Sequence, residues 1–440
     1  MSQTVDTLID AGWIIPVEPR GITLPEHSLA IDGGRIVGLL PTDEAAMRFL
    51  PRQHLRLPGH VLLPGLVNLH THAAMTLLRG LADDRPLMDW LQQHIWPAET
   101  RHVSPEFVHD GTLLACAEML RGGTTCFNDM YFFPDAAARA AIESRMRATL
   151  GLIVVEFPSA WAADPDDYLA KGLALRDELH GEPRLDFFFA PHAPYTVSDR
   201  SFQRVLTLAE QLDTGIHLHL HETRDEIRQS IEQFGQRPLA RLRQIGLLGP
   251  ELLAVHMVHL DDEEIHLLAD SGCHIAHCPT SNLKLASGIA RLHTLHEAGI
   301  NVGLGTDGAA SNNRLDLLGE IRLASLLSKG TSGLAEAIDA HTALAMATLH
   351  PARALGLDHR IGSLLPGKCA DLIAVDLGRM ETRPCFDPAS HLVHVAGREH
   401  VTHVWVDGDC LVEQGCLTHL DEAELLARVQ YWQHRVARSG

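Results

Sequence analysis

Eight short apolar runs recur through the middle of this chain, each bounded by Gly, Pro, Asn or Asp. They are VLLPGLVNLH (61–70), GTTCFNDM (123–130), ATLGLIVVE (148–156), LDFFFAPHAP (185–194), GIHLHLHE (215–222), LLAVHMVHL (252–260), CHIAHCPTSN (273–282) and NVGLGTDG (301–308). Runs of this length without sustained polar alternation read as strands buried on both faces. Between most of them lie amphipathic segments such as SPEFVHDGTLLACAEMLRG (104–122), SDRSFQRVLTLAEQLD (198–213) and DEEIHLLADSG (262–272). Several open on a Ser or Asp and close at a Gly, the start and stop signals of helices. Strand and helix alternating eight times over about 250 residues predict an α/β fold, a (β/α)8 barrel of the TIM type.

The ends of the chain have a different texture. Residues 1–60 hold short alternating runs with turn signals, such as TLIDAGWIIPV and SLAIDGGRIVGLL, and residues 361–420 resume them with IGSLLPGKCADLIAVDL and HVTHVWVDGDCLVEQG. IDGGR and VDGDC have the composition of hairpin turns. The expectation is a small, discontinuous β-sandwich domain built from 1–60 and 361–440, enclosing a barrel domain at 61–360. The last segment, DEAELLARVQYWQHRVARS, reads as a C-terminal helix.

Composition narrows the function. The 440 residues carry a formal net charge of −20, which disfavours nucleic acid and anionic membrane surfaces, because phosphate binding needs a basic field. An uncharged nucleoside stays open as a partner. The eight Cys form no C-x-x-C pair, so neither a disulfide framework nor a thiolate metal site is expected. The N-terminus lacks a basic start followed by an apolar run, and no apolar stretch reaches about 18 residues. A cytoplasmic enzyme is the expectation, with a homodimer the default assembly.

In a barrel of this kind the reacting groups sit at the C-terminal ends of the strands. Strand 1 ends in His70-Thr71-His72, strand 4 in Pro191-His192, and strand 8 in Thr306-Asp307; strand 5 carries His217, His219, His221 and Glu222, and strand 6 carries His256 and His259. Alternate residues of a strand point the same way, so His70 and His72 project together as half of a nitrogen/oxygen metal site. A strand 5 His and Asp307 would complete it and leave a position for water. Parity cannot choose among His217, His219 and His221, and all three stay open on the spacing alone.

Taken together, LPGLVNLHTHAAMTLLRGLADD, HLHETRDE, HMVHL, PTSNLKL and LGTDGAASNN resemble the amidohydrolase superfamily. More narrowly they resemble the 5-methylthioadenosine/S-adenosylhomocysteine deaminases, which are related to the triazine chlorohydrolases. The likeness runs over about residues 5–420. It implies that His70, His72, His219 and Asp307 hold one divalent metal. Zinc is the first candidate, with iron and manganese the alternatives. It also implies that His256 holds and polarises the nucleophile, Asp307 takes its proton, and Glu222 protonates the substrate ring. His217, His221 and His259 are then left to packing or support of the ligands. The Lys that bridges two metals in related enzymes has no counterpart at the end of strand 4 or within strand 5.

The resemblance further implies hydrolytic deamination of an adenine nucleoside, with release of ammonia and the inosine analogue. Residues 73–99 would cover the substrate, with Trp90 and Trp96 stacking on it or packing in the core. Glu99 would accept from ribose hydroxyls, His192 would touch the nucleoside, and Ser281, Asn282 and Lys284 would shape the pocket. Family members that take S-adenosylhomocysteine are expected to carry basic residues after strand 3. That region here is VVEFPSAWAADPDDYLAKG (154–172), which has no Arg and no Lys before Lys171. The expected substrate is therefore 5′-methylthioadenosine, with adenosine and S-adenosylhomocysteine behind it. A triazine chlorohydrolase or deaminase and a guanine deaminase are the alternatives on the same scaffold. A barrel retained only as a binding scaffold would not need the full ligand set.

Overall fold

The computed structural model describes residues 2–438. All eight apolar runs are strands of one parallel sheet: β1 (Leu66–Thr71), β2 (Thr124–Tyr131), β3 (Arg147–Val154), β4 (Leu185–Pro191), β5 (Ile216–Leu220), β6 (Leu252–His256), β7 (His274–His277) and β8 (Asn301–Leu304). They pair in chain order from β1 to β8. Every residue of β1, β2, β3, β5 and β6 is buried, which is why these strands lack polar alternation.

The two ends of the sheet meet just beyond β8. The amides of Thr306 and Asp307 both donate to the carbonyl of His70, at 3.1 and 3.0 Å. Asn68 adds two bonds: its Nδ2 donates to Thr306 Oγ1 at 2.8 Å, and its Oδ1 accepts from the Thr306 amide at 3.0 Å. So close an approach requires glycine at 305. A Cβ there would lie 2.8 Å from His70 N and 3.0 Å from His70 O, and backbone atoms cannot swing aside.

The helices expected between strands are present with their caps. They include α1 (Pro105–Arg121), α2 (Asp199–Leu212), α3 (Arg224–Phe234), α4 (Asp262–Ser271), α5 (Pro279–Lys284) and α6 (Glu422–Ala437). Ser198 accepts from the Ser201 amide at the start of α2, Thr223 from the Glu226 amide at the start of α3, and Asp261 with Glu264 forms a full capping box for α4. Gly235 and Gly272 end α3 and α4 in the left-handed region.

The chain ends pair into one continuous mixed sheet. Its long strand Phe49–Pro64 runs parallel to Gln3–Ile14 and then antiparallel to Leu372–Asp376, with Leu372 opposite Pro64 and Asp376 opposite His60. The expected β-domain from both termini is thus built on a single strand that carries the pairing across. Its core mixes the two ends, with Ile9, Ile31, Leu57 and Leu62 against Leu364, Leu372 and Trp405. Gly33-Gly34 and Asp407-Gly408 all have positive φ, as tight hairpin turns require.

Two compact units result: Met1–Val67 with Ala117–Cys126 and Asp316–Leu420, and Asn68–Cys116 with Phe127–Leu315 and Asp421–Gly440. Positions 60 and 360, expected as boundaries, both lie within the first. The helices Leu317–Ser332 and Ala340–Ala345 pack on Pro388–His394, which draws the end of the expected barrel segment into that unit. Helix α6 belongs to the second unit, where Trp432 packs on Phe107 and its Nε1 donates to Asp110 Oδ2 at 2.9 Å. Among the described residues no helix is long and apolar enough to cross a membrane, and all eight cysteines are free thiols.

Gly305→Ala should lower unfolding stability by about 1–3 kcal/mol, the usual range for an overpacked site. Urea unfolding of the variant measures it; wild-type stability would mean that the junction tolerates a Cβ and is looser than described.

Candidate active site

Four side chains converge where β1, β5 and β8 end. His70, His72 and His219 each offer a ring nitrogen, and these atoms lie within 4.8 Å of one another; His70, His256 and Asp307 form a second such group. His219 Nε2 is 3.2 Å from His70 Nε2, and Asp307 Oδ1 is 3.4 Å from His70 Nε2 and 3.3 Å from His72 Nε2. Donors about 2.0–2.1 Å from one tetrahedral zinc lie roughly 3.3–3.4 Å apart, so the spacing fits a shared ion of that size.

The opposite edge of each imidazole is tied down. His72 Nδ1 donates to Met130 O at 2.6 Å and His219 Nδ1 to His192 O at 2.8 Å, while His70 Nδ1 lies 2.8 Å from His217 Nε2. His217 is held in turn by Asn128 Nδ2, 3.2 Å from its Nδ1. Such outer partners orient a ring so that its free nitrogen faces the metal. Burial pushes His70 down to about 4 and holds His217 and His219 well below the ordinary histidine range. His70 and His219, with His217 behind His70, are therefore held as neutral imidazole, the form that binds metal. Burial alone would raise the Asp307 carboxyl, but the His70 hydrogen bond and the charges of His72 and His256 outweigh it and hold Asp307 well below the usual carboxylate range. Ser281 Oγ donates to Asp307 Oδ2 at 2.6 Å.

Glu222 and His256 sit beside this quartet as a separate pair, with Glu222 Oε2 3.7 Å from His256 Nε2. His256 Nδ1 donates to Asn282 Oδ1 at 2.9 Å, which turns Nε2 toward Glu222, and Ser287 Oγ donates to Glu222 Oε1 at 3.2 Å. Burial raises the Glu222 carboxyl, and the charge on Asp307 adds to the effect, although His256 opposes it. Strand β5 stops at Leu220, and His221 turns at φ +55°; His256 and Asp307 themselves lie at φ +75° and +60°. Left-handed backbone at residues other than Gly costs about 1–3 kcal/mol each and concentrates at functional sites.

These groups line one cavity of about 600 Å³. Its roof is the helical stretch Leu87–Trp90, a π turn at Leu91–Ile95 and the helix Trp96–His102. Trp90, Trp96, Glu99 and His192 all face the cavity. Tyr131 donates to Glu99 Oε1 at 2.6 Å, and burial pushes the Glu99 carboxyl up to about 7. Burial also takes His192 down to about 3, so it is neutral at pH 7. The other residues singled out in the sequence lie behind the site. His221 Nδ1 is bonded to His259 O and its Nε2 accepts from the Leu239 amide, while His259 Nε2 donates to Ser287 O. Lys284 does not line the cavity; it bonds Asp83 Oδ1 at 2.6 Å and also Asn313.

Sequence reasoning missed Asn128, Asp129, Tyr131, Glu226 and Ser287. Asp129 Oδ1 accepts from the Ala73 amide at 2.7 Å and so fixes the chain just after His72. The place of Asn128 to Tyr131 at the end of β2 was the available signal, since strand ends face the site.

The amidohydrolase family model matches residues 61–411. A 5-methylthioadenosine/S-adenosylhomocysteine deaminase of Saccharophagus degradans is 49% identical over 431 residues, 98% of this chain and 97% of that protein. The crystal structure of an adenosine deaminase from Xanthomonas campestris with bound zinc superposes with a TM-score of 0.98 at 49% identity, covering all of both chains. An atrazine chlorohydrolase from Arthrobacter aurescens, complexed with zinc, shares the fold at a TM-score of 0.90 and 24% identity, over 97% of this chain and 100% of that one.

His217→Leu should weaken metal binding by about 10–100-fold, the usual effect of removing a partner behind a ligand. Competition against a chromogenic chelator measures it, and unchanged affinity would show that His217 does not orient His70.

Proposed function

Because the chain belongs to the amidohydrolase family and, within it, to the 5-methylthioadenosine/S-adenosylhomocysteine deaminases, we propose that it hydrolytically deaminates an adenine nucleoside, with 5′-methylthioadenosine preferred. The observation that carries the deaminase reading is the buried Glu222–His256 pair beside four metal-type donors. His70, His72, His219 and Asp307 would hold the ion. Zinc is favoured by the three-nitrogen, one-oxygen donor set and by its presence in the Xanthomonas campestris structure. When bound, the metal supplies the acidification of water that makes a nucleophile available near neutral pH.

The chain's own residues do the rest. Asp307, held ionised, takes the proton that water loses as its oxygen bonds to the amine-bearing carbon of the purine. His256 Nε2 accepts a hydrogen bond from that water and orients it, because Asn282 holds Nδ1. Glu222, whose carboxyl is raised by burial, gives its proton to the adjacent ring nitrogen, so negative charge does not build on the ring. The proton taken by Asp307 passes to the amine, the C–N bond breaks, and ammonia leaves. As the C–N bond breaks, the new hydroxyl becomes the carbonyl of the inosine analogue and its remaining proton returns to Glu222, while the ring nitrogen keeps the proton it received. Water and nucleoside in, and ammonia and inosine analogue out, close the balance.

The substrate preference rests on the cavity wall. Its lining includes Ile153, Val155, Phe157, Pro158 and Ala160, with no Lys or Arg among the described residues. Lys171 is engaged elsewhere, donating to Asp167 Oδ2 at 2.8 Å and to Trp161 O at 2.6 Å. An apolar methylthio group fits this wall, whereas an amino-acid carboxylate would find no cation. Glu99, bonded to Tyr131, would accept from the ribose diol, His192 would meet the nucleoside, and Trp90 would cover it. Eight free thiols suit a reducing compartment such as the cytoplasm, and a homodimer is the assembly we expect.

Glu222→Gln should lower kcat by about 10²–10⁴-fold, the range for loss of a general acid, with metal content unchanged. Near-normal ammonia release by that variant would remove Glu222 from the chemistry. Steady-state assays should also give a higher kcat/KM for 5′-methylthioadenosine than for S-adenosylhomocysteine; the reverse order would refute the reading of the cavity wall.

A further inference from the structure

Glu222 stands where strand alternation no longer positions a side chain. β5 ends two residues before it, and His221 turns at φ +55°. The backbone at this turn is gripped from two sides. On one side His221 O accepts from the amides of Val258 and His259, at 3.0 and 3.1 Å. On the other, Glu226 Oε1 accepts from the His221 amide at 2.9 Å and Glu226 Oε2 from the Glu222 amide at 2.8 Å. Both oxygens of one carboxyl thus cap two consecutive amides that the ended strand leaves unpaired. Glu226 is buried, as is Glu222, and its own amide donates to Thr223 Oγ1 at 3.2 Å in the N-cap of α3.

We infer that Glu226 is the positioning residue for the acid/base carboxyl, fixing the turn that aims Glu222 at the substrate ring without touching substrate or metal. The inference rests on the assignment of Glu222 as the acid/base group. A carboxyl suits the task because two amide donors need two acceptors. In Glu226→Gln one amide N–H would face a side-chain NH2, so the turn would lose one bond and gain a repulsion. A shift of about 1 Å in a reacting group can lower the rate by on the order of 10²-fold. Burial of a carboxyl without a cation is costly and pushes Glu226 up to about 7, a cost a purely structural cap could avoid with a neutral acceptor.

The test is steady-state kinetics of Glu226→Gln on 5′-methylthioadenosine, with metal content and thermal unfolding measured on the same sample and Glu222→Gln as control. The expected result is a fall in kcat per metal-loaded chain of on the order of 10–10²-fold, with KM and metal content unchanged. If Glu222→Gln is inactive while Glu226→Gln turns over normally, this inference is overturned and the acid/base assignment stands. If Glu222→Gln itself turns over normally, the assignment fails first. Lost metal or lowered stability with normal kcat per loaded chain would make Glu226 a structural cap only. Should Glu226→Gln not fold, Thr223→Ala loosens the same residue through its backbone. A smaller drop in kcat at unchanged KM is then expected, and wild-type kcat would overturn the inference.

Discussion

The carbonyl of His70 accepts two amide hydrogen bonds, from Thr306 and Asp307, and the rest of the site depends on that junction. It joins the last strand of the barrel to the first, so residues 236 and 238 positions apart in sequence become neighbours. His70 is at once a strand residue at the seam and a candidate ligand, and Asp307 is held to the same peptide that carries it. The contact that closes the barrel is therefore also the one that brings the donor set together. Gly305 permits it by leaving no Cβ against His70.

Around that seam, burial sets the protonation states. Imidazoles out of water favour the neutral form, which is the form that binds metal or accepts a proton. The same burial raises the carboxyls of Glu222, Glu226 and Glu99. Asp307 escapes because its hydrogen bond with His70 and its nearness to His72, His70 and His256 outweigh burial there. One acid held ionised and another inclined to keep its proton, in one cavity, is the division of labour that hydrolytic deamination needs. Backbone strain at His221, His256 and Asp307 is consistent with side chains aimed by tertiary contacts rather than by local preference.

Much of this was legible in the chain. Uniformly apolar runs gave the eight barrel strands, and Ser, Asp and Gly signals gave helix ends that the caps at Ser198, Asp261 and Gly272 match. The divided β-unit was visible in the shared texture of the two ends. Other features do not follow from periodicity. Parity left His217, His219 and His221 equivalent, and only resemblance to a family separated them. In three dimensions they differ by neighbour: His219 faces His70 Nε2, His217 backs His70 Nδ1, and His221 is bonded to His259 O and the Leu239 amide. Glu222 breaks alternation because a left-handed residue precedes it, and nothing in a His side chain announces φ +55°. Asn128, Tyr131 and Glu226 look like ordinary polar residues, because what distinguishes them is the partner each meets across the fold.

Three histidines and one carboxylate are proposed to hold a single catalytic metal, with the acid/base carboxyl outside its shell. The most direct measurement is metal content and ammonia release from 5′-methylthioadenosine on one preparation, before and after chelation and again after zinc is restored. One metal per chain, activity lost on its removal, and activity regained in proportion to the zinc rebound are the expected results. Full turnover by the metal-free protein would contradict the proposal.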